Sequence, residues 1–162
     1  PNLRRVYHNG NDKEAREKMM LGATLAGVAF SNASVALVHG MSRPIGAFYH
    51  VPHGLSNAML LPAVTEYSIP AAIKRYADCC RAMGVALPSD SDEDANKKLL
   101  LELSAINEEL DVPTPKEFGI NKEDFMNNME IMAEQAIASG SPGNNPRVPE
   151  VNEIIDIYKL LW

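Results

Sequence analysis

Hydrophobic residues along this chain recur every three or four positions, and alternating runs of β-branched residues are rare. In residues 95–110, for example, Leu99, Leu103 and Ile106 fall on one side of a helix. Because positions three and four apart share a helical face, such a pattern predicts amphipathic helices rather than strands. The same pattern recurs along the chain between residues that start and stop helices. The sequence therefore predicts an all-α helical bundle of about seven helices.

Capping and breaking residues give the predicted ends of these helices. Asp12 is expected to cap a helix through residues 19–30, and Asn121 a helix that ends near Gly140. The remaining helices are predicted in residues 32–43, 54–67, 69–84, 95–110 and 149–162, and irregular connections in residues 113–120 and 139–149.

The second helix is bounded by a proline. Ser31 or Asn32 is predicted to cap it, and it should stop by Arg43 because Pro44 follows. A residue that precedes proline is disfavoured in the helical region, and proline lacks the N–H that a helix interior needs. We expect the third helix to open after Pro52.

Composition narrows the possible partners. The 162 residues are enough for one domain with its own core, and their net charge of −6 argues against nucleic acid as a partner. No uninterrupted apolar run reaches membrane-spanning length, so we expect no membrane segment. Cys79 and Cys80 are adjacent, a spacing that strains a disulfide, which predicts reduced thiols and a cytoplasmic location.

Three of the four histidines lie in one short stretch, HGMSRPIGAFYHVPHG, residues 39–54. His39 is predicted near the end of one helix and His53 at the start of the next, so a tight turn would bring both to one place. Neutral imidazole is a common ligand for borderline metals. A catalytic metal usually has three protein ligands, however, and no acidic residue lies between these histidines. The stretch therefore indicates either a metal site completed from elsewhere or no metal site.

Two other interpretations are compatible with this pattern. A self-contained zinc site would require His39, His50 and His53 to converge and a carboxylate to act as base. A helical interaction module, which would bind a partner through an exposed apolar face, would require no metal-ligand geometry.

Extended to HGMSRPIGAFYHVPHGLSNAMLLPAV, the same stretch resembles the signature of the iron-containing (group III) alcohol dehydrogenases. The positions that match are His39, Gly46, Pro52, His53, Gly54, Asn57, Ala58, Leu61 and Pro62. The resemblance implies that residues 1–162 are the single, all-helical C-terminal domain of such an enzyme. That enzyme would catalyse NAD(P)-linked oxidation of a small alcohol to an aldehyde or ketone, and the reverse, with a metal that polarises the alcohol oxygen.

The resemblance also implies a ligand set that this chain contains only in part. The metal is iron(II), or zinc in some members, and is held by one aspartate and three histidines, of which His39 and His53 would be two. The other two ligands belong to an upstream D-x-x-x-H pattern, and NAD or NADP is bound mainly by an upstream nucleotide-binding domain. Since neither occurs here and the chain begins with Pro1, we expect it to be part of a longer protein, inactive alone. Relatives of this kind are usually dimers or larger.

Arg43 departs from the family pattern, which usually has a second histidine four residues after the first. Arginine does not exchange protons near neutral pH, so either another group or water carries the proton in this branch, or Arg43, the candidate catalytic residue, binds an anionic part of cofactor or substrate. A maleylacetate reductase-like enzyme, with a carboxylate-bearing substrate, is therefore an alternative. Phe48 and His50 are predicted to line the substrate cleft.

Overall fold

The structure is a computed structural model that describes residues 2–162, and this part of the chain contains helices and no strand. Its nine α-helices are α1 (Asn2–His8), α2 (Lys13–Ala33), α3 (Leu37–Tyr49), α4 (His53–Ser68), α5 (Ile73–Ala82), α6 (Asp92–Glu109), α7 (Pro115–Phe118), α8 (Lys122–Ala138) and α9 (Val151–Lys159). Two 3-10 turns, Ile69–Ala71 and Ser141–Asn144, complete them. The predicted all-α fold is confirmed, and the short helices α1 and α7 add to the seven that the sequence predicts.

The chain divides into two compact units, one that ends at Ser34 and one that spans Val35–Trp162. The prediction that all 162 residues form a single domain stays a prediction. No single helix in residues 2–162 is long and apolar enough to cross a membrane, and only α2 and α3 counted together reach the necessary length and composition.

The first unit contains α1 and α2. Asp12 caps α2 as predicted, since its carboxylate accepts a hydrogen bond of 3.0 Å from the backbone N–H of Ala15. Arg5 on α1 pairs with Asp12 at 2.8 Å and with Glu14 at 3.1 Å, which joins the two helices. Of all the residues in α2, Ala15 alone is buried.

The predicted boundary between the second and third segments is wrong. Ser31 and Asn32 do not cap α3 but continue α2, because their side chains donate to the carbonyls of Gly27 and Val28 four residues back. This local bond competes with the capping role that serine and asparagine often have. Helix α3 begins instead at Leu37, after Ala36, without a side-chain cap.

The prediction that this helix stops by Arg43 is also wrong, because Pro44 lies inside α3. The buried residues Leu37, Met41 and Ile45 form one face that continues past the proline. Full burial of an isoleucine is worth about 1.5–3 kcal/mol, which is comparable to the cost of about 3 kcal/mol for an interior proline. Burial of this face therefore carries the helix through Pro44.

The second unit has two hydrophobic clusters. The larger one joins α3, α4, α8 and α9 and contains the fully buried Phe125 and Tyr158. The hydroxyl of Tyr158 donates to the carbonyl of Met41 at 2.8 Å, which connects α9 to α3. The smaller cluster lies between α5 and α6 and contains Ala77, Cys80 and Leu99. Both cysteines are free, as predicted.

Candidate metal centre

The turn between α3 and α4 brings His39 and His53 together. Helix α3 ends at Tyr49 and is followed by the C-cap residue His50, whose left-handed backbone (φ 55°, ψ 26°) reverses the chain. Helix α4 begins three residues after His50. A side chain at Gly46 would lie 3.3 Å from the carbonyl oxygen of Val51, so a residue without Cβ favours this close return. The ring centroids of His39 and His53 are 5.2 Å apart, and their planes are inclined by 54°.

The surroundings of His39 favour its neutral form. Burial lowers the pKa of this imidazole below its ordinary value, and the nearby His53 and then Arg43 lower it further. A metal-binding imidazole must be neutral at the coordinating nitrogen, so the environment favours the form that could bind a metal.

His53 is exposed and contacts Asn57 one turn later on α4. The Nδ2 atom of Asn57 lies 3.1 Å from Nε2 of His53, and the amide donates when the ring carries its proton on Nδ1. The Oδ1 atom of Asn57 is buried and has no hydrogen-bond partner in the described part of the chain. Coordination through Nε2 of His53 would take the place of this amide contact.

The two imidazoles fit half of a metal site. Two imidazoles with ring centroids 5.2 Å apart offer nitrogen donors of the kind that iron(II) and zinc accept. Residues 2–162 contain no group of three or more histidine, cysteine, aspartate or glutamate side chains that could hold a metal ion. A metal here would therefore take its other ligands from outside the described residues.

Arg43 lies one turn after His39 on the same face of α3 and is exposed. Its Nη1 atom donates to the hydroxyl of Ser141 at 3.3 Å. Ser141 is 5% exposed and opens the turn Ser141–Asn144, which the sequence predicts only as part of an irregular connection. No sequence signal pairs two residues 98 positions apart, so this contact could not be predicted.

Phe48 and His50 lie at the C-terminal end of α3. Phe48 is half-buried against the larger hydrophobic cluster, and His50 is exposed. No hydrogen bond, ion pair or ring contact within residues 2–162 joins His50 to His39 or His53. The structure thus gives no support to the three-histidine zinc site, and the role of Phe48 and His50 in a substrate cleft stays a prediction.

Comparison with known proteins decides the family. The family model described as "Fe-containing alcohol dehydrogenase family, C-terminal" matches residues 1–162. The chain belongs to the iron-containing alcohol dehydrogenase family.

Relatives of this chain agree with its assignment to the iron-containing alcohol dehydrogenase family. It is 38% identical over 152 residues to lactaldehyde reductase of Escherichia coli. This alignment covers 93% of the chain and 39% of the reductase. It is 34% identical over 159 residues to 1,3-propanediol dehydrogenase of Klebsiella pneumoniae. This alignment covers 98% of the chain and 40% of the dehydrogenase. The chain thus spans about two fifths of the length of these curated relatives.

Solved structures show the same fold. A crystal structure of 1,3-propanediol oxidoreductase matches with a TM-score of 0.92 and 32% identity, over 99% of this chain and 41% of that one. An alcohol dehydrogenase from Oenococcus oeni matches with a TM-score of 0.91 and 32% identity, also over 99% of this chain and 41% of that one. The chain therefore has the fold of the corresponding region in iron-containing alcohol dehydrogenases.

Proposed function

We propose that this chain supplies two ligands, His39 and His53, to the catalytic metal of an NAD(P)-linked alcohol dehydrogenase. The observation that carries the proposal is the approach of these two imidazoles to 5.2 Å on consecutive helices, in a chain of the iron-containing family. The full protein would oxidise a small alcohol to an aldehyde or ketone and catalyse the reverse reaction.

The residues of this chain have distinct tasks in that reaction. His39 and His53 would hold the metal, and Nε2 of His53 would exchange its contact with Asn57 at 3.1 Å for the bond to the metal. When bound, iron(II) or zinc would supply Lewis-acid polarisation of the alcohol oxygen, and a nicotinamide cofactor would accept the hydride. Arg43 contributes a positive charge one turn from His39.

The relatives support a proposal for the substrate and the cofactor. The curated names of three relatives specify lactaldehyde, butanol and 1,3-propanediol, and the butanol enzyme is NADPH-dependent. We infer that the full protein acts on a small alcohol or aldehyde, that it uses NAD or NADP, and that residues outside this chain bind most of the cofactor. A dimer or larger assembly and a cytoplasmic location stay predictions.

The metal ligands can be tested in the full-length protein after anaerobic loading with iron(II). We expect His39→Ala and His53→Ala each to lower bound iron and the rate of alcohol oxidation by more than the 10- to 100-fold typical of losing a residue that only supports a ligand. His8→Ala, on α1, is the matched control and should keep both. The 162-residue chain alone should show no NAD(P)-dependent alcohol oxidation. Iron content and activity that persist in both site variants would exclude the proposal.

A further inference from the structure

We propose that Arg43 binds a carboxylate of the substrate next to the metal site, so that the enzyme prefers short aldehydes and alcohols that carry a terminal carboxylate. The inference rests on the proposed function, because it places the reacting carbonyl at the metal that His39 and His53 would hold. It adds the substrate class and a residue that determines specificity.

The position of Arg43 places a cation beside the reacting atoms. Residues four apart on a helix have Cβ atoms about 5–6 Å from each other on one face, so Arg43 follows His39 along the same side of α3. A substrate whose oxygen is at the metal would extend its next few carbon atoms past this guanidinium.

The charge of Arg43 has no carboxylate partner among the described residues. Arg81 pairs with Asp92 at 2.7 Å and Arg147 with Glu153 at 2.6 Å, whereas no carboxylate in residues 2–162 pairs with Arg43. The hydrogen bond to Ser141 uses one of the five N–H donors of the guanidinium. The remaining donors are enough for a bidentate carboxylate, the geometry for which arginine is best suited.

The side chain of Arg43 is held by an ordered segment. Ser141 is buried, and the next residue, Pro142, packs so tightly on α3 that a Cβ at Gly40 would lie 2.9 Å from its ring. The amide of Asn144 donates to the carbonyl of Val35 at 3.0 Å, just before α3 begins. The hydroxyl of Ser141 thus has a fixed place from which to orient the guanidinium, which lowers the entropy that ligand binding would cost.

The location favours a substrate carboxylate over a cofactor phosphate. The end of a nicotinamide cofactor that takes part in hydride transfer carries a neutral carboxamide, and its phosphates lie beyond the ribose. With the reacting oxygen at the metal, a cation one turn after His39 would therefore lie nearer to the substrate than to those phosphates.

The test compares two four-carbon aldehydes that differ by one carboxylate, succinic semialdehyde and butanal, in the iron-loaded full-length protein. We expect kcat/KM to favour succinic semialdehyde, and Arg43→Gln to lower the ratio of the two kcat/KM values by about 10- to 100-fold, the usual effect of one hydrogen-bonded charge. Arg43→Lys should restore part of the ratio. Arg75→Gln removes an exposed arginine on α5 and should leave the ratio unchanged.

A binding measurement separates this inference from the proposed function. Calorimetric titration of the same proteins with succinate should show a dissociation constant raised by a similar factor in Arg43→Gln. If neither aldehyde is reduced by the wild-type protein, the proposed function fails, and the titration still decides whether Arg43 binds a carboxylate. Three results would overturn the inference. They are an equal fall in kcat/KM for both aldehydes in Arg43→Gln, a wild-type preference for butanal, and an effect of Arg43→Gln that is confined to a higher KM for NAD(P)H. Retained iron and thermal midpoint establish that each variant is folded.

Discussion

At the scale of single residues, Glu153 joins three parts of the second unit. Its carboxylate accepts hydrogen bonds from the backbone N–H of Glu150 and from the hydroxyl of Tyr67, each 2.9 Å long, and pairs with Arg147 at 2.6 Å. The guanidinium of Arg147 lies 4.1 Å from the ring centre of Tyr67. This cluster attaches the segment before α9 to α4, and the same segment continues back to Ser141 beside Arg43.

The stabilising effect of Glu153 should depend on pH. The backbone N–H of Glu150, then the Tyr67 hydroxyl, then Arg147 lower the pKa of Glu153 below its ordinary value of 4.5. A carboxyl whose pKa is lower in the folded state stabilises the protein above its unfolded pKa and loses that effect as the pH falls through the folded pKa. Burial, and then Glu153, raise the pKa of Tyr67 to about 12, so its hydroxyl remains a donor throughout this range.

We therefore expect Glu153→Gln to lower the urea midpoint of unfolding at pH 7, and its difference from the wild type to shrink as the pH falls from the unfolded pKa through the lower folded pKa. Glu66→Gln is the matched control, since Glu66 is an exposed residue of α4 without a described partner. A loss of stability that stays the same at every pH as the solution is acidified would contradict the assigned electrostatic role.

The sequence predicts the two candidate ligand residues better than the residues that surround them in the fold. His39 and His53 are identifiable because they share one short stretch and match a family signature, and the structure brings their rings together. Ser141 is not identifiable, because its contact with Arg43 depends on how the turn after α8 packs on α3. Local patterns carry information about neighbours along the chain, whereas this contact depends on tertiary packing.

At the scale of the helix, α3 is the element on which the candidate site depends. It carries His39 and Arg43 on one face, buries Leu37, Met41 and Ile45 on another, and meets Pro142 at Gly40. The position of Arg43 relative to Ser141 is thus linked to the distance between the α3 backbone and the turn Ser141–Asn144.

Gly40 should be intolerant of a side chain for this reason. A Cβ there would lie 2.9 Å from both Cγ and Cδ of Pro142, whose ring cannot rotate away. We expect Gly40→Ala to destabilise the protein by about 1–3 kcal/mol, the usual cost of overpacking, although alanine is the better helix former. Urea unfolding followed by circular dichroism measures this change.

The control for Gly40→Ala is Gly54→Ala on α4, where no atom lies within 4 Å of the added methyl group. Here we expect no loss of stability, because the helix-forming tendency of alanine is not opposed by a clash. If both substitutions are neutral, the tight contact between α3 and Pro142 is not maintained in solution.

Helix ends show which local signals are sufficient. Asp12 and Asn121 cap α2 and α8 as predicted, since each side chain accepts a hydrogen bond from a backbone N–H three residues later. Helix α7 was missed although Thr114 and Glu117 form a reciprocal capping box, because its four residues are too short for a hydrophobic period. The prediction that α3 stops before Pro44 is wrong because burial of the apolar face of α3 outweighs the unfavourable effect of a proline inside a helix.

At the scale of the whole molecule, the first unit has an apolar surface that is unusual for a helix. In α2 the large apolar residues extend around the helix and are mostly exposed: Met20 is 71% exposed, Leu25 60% and Phe30 55%. No charged residue occurs between Lys18 and Arg43. A helix that is apolar on all sides is normally covered, and an exposed apolar surface of this kind favours association.

The 162-residue chain should consequently self-associate through α2, and Leu25→Glu should reduce that association. The substitution places a charge within the apolar surface and removes exposed hydrophobic area, so we expect a lower average mass in sedimentation velocity and weaker fluorescence of a bound hydrophobic dye. Thr24→Glu is the matched control, because it adds the same charge at the neighbouring exposed position while Leu25 remains. If the effect were purely electrostatic, the two variants would reduce association equally, whereas association driven by the apolar side chain requires the greater reduction from Leu25→Glu.

A wild-type chain that remains monomeric and binds no dye at high concentration would show that the surface of α2 does not drive association in solution.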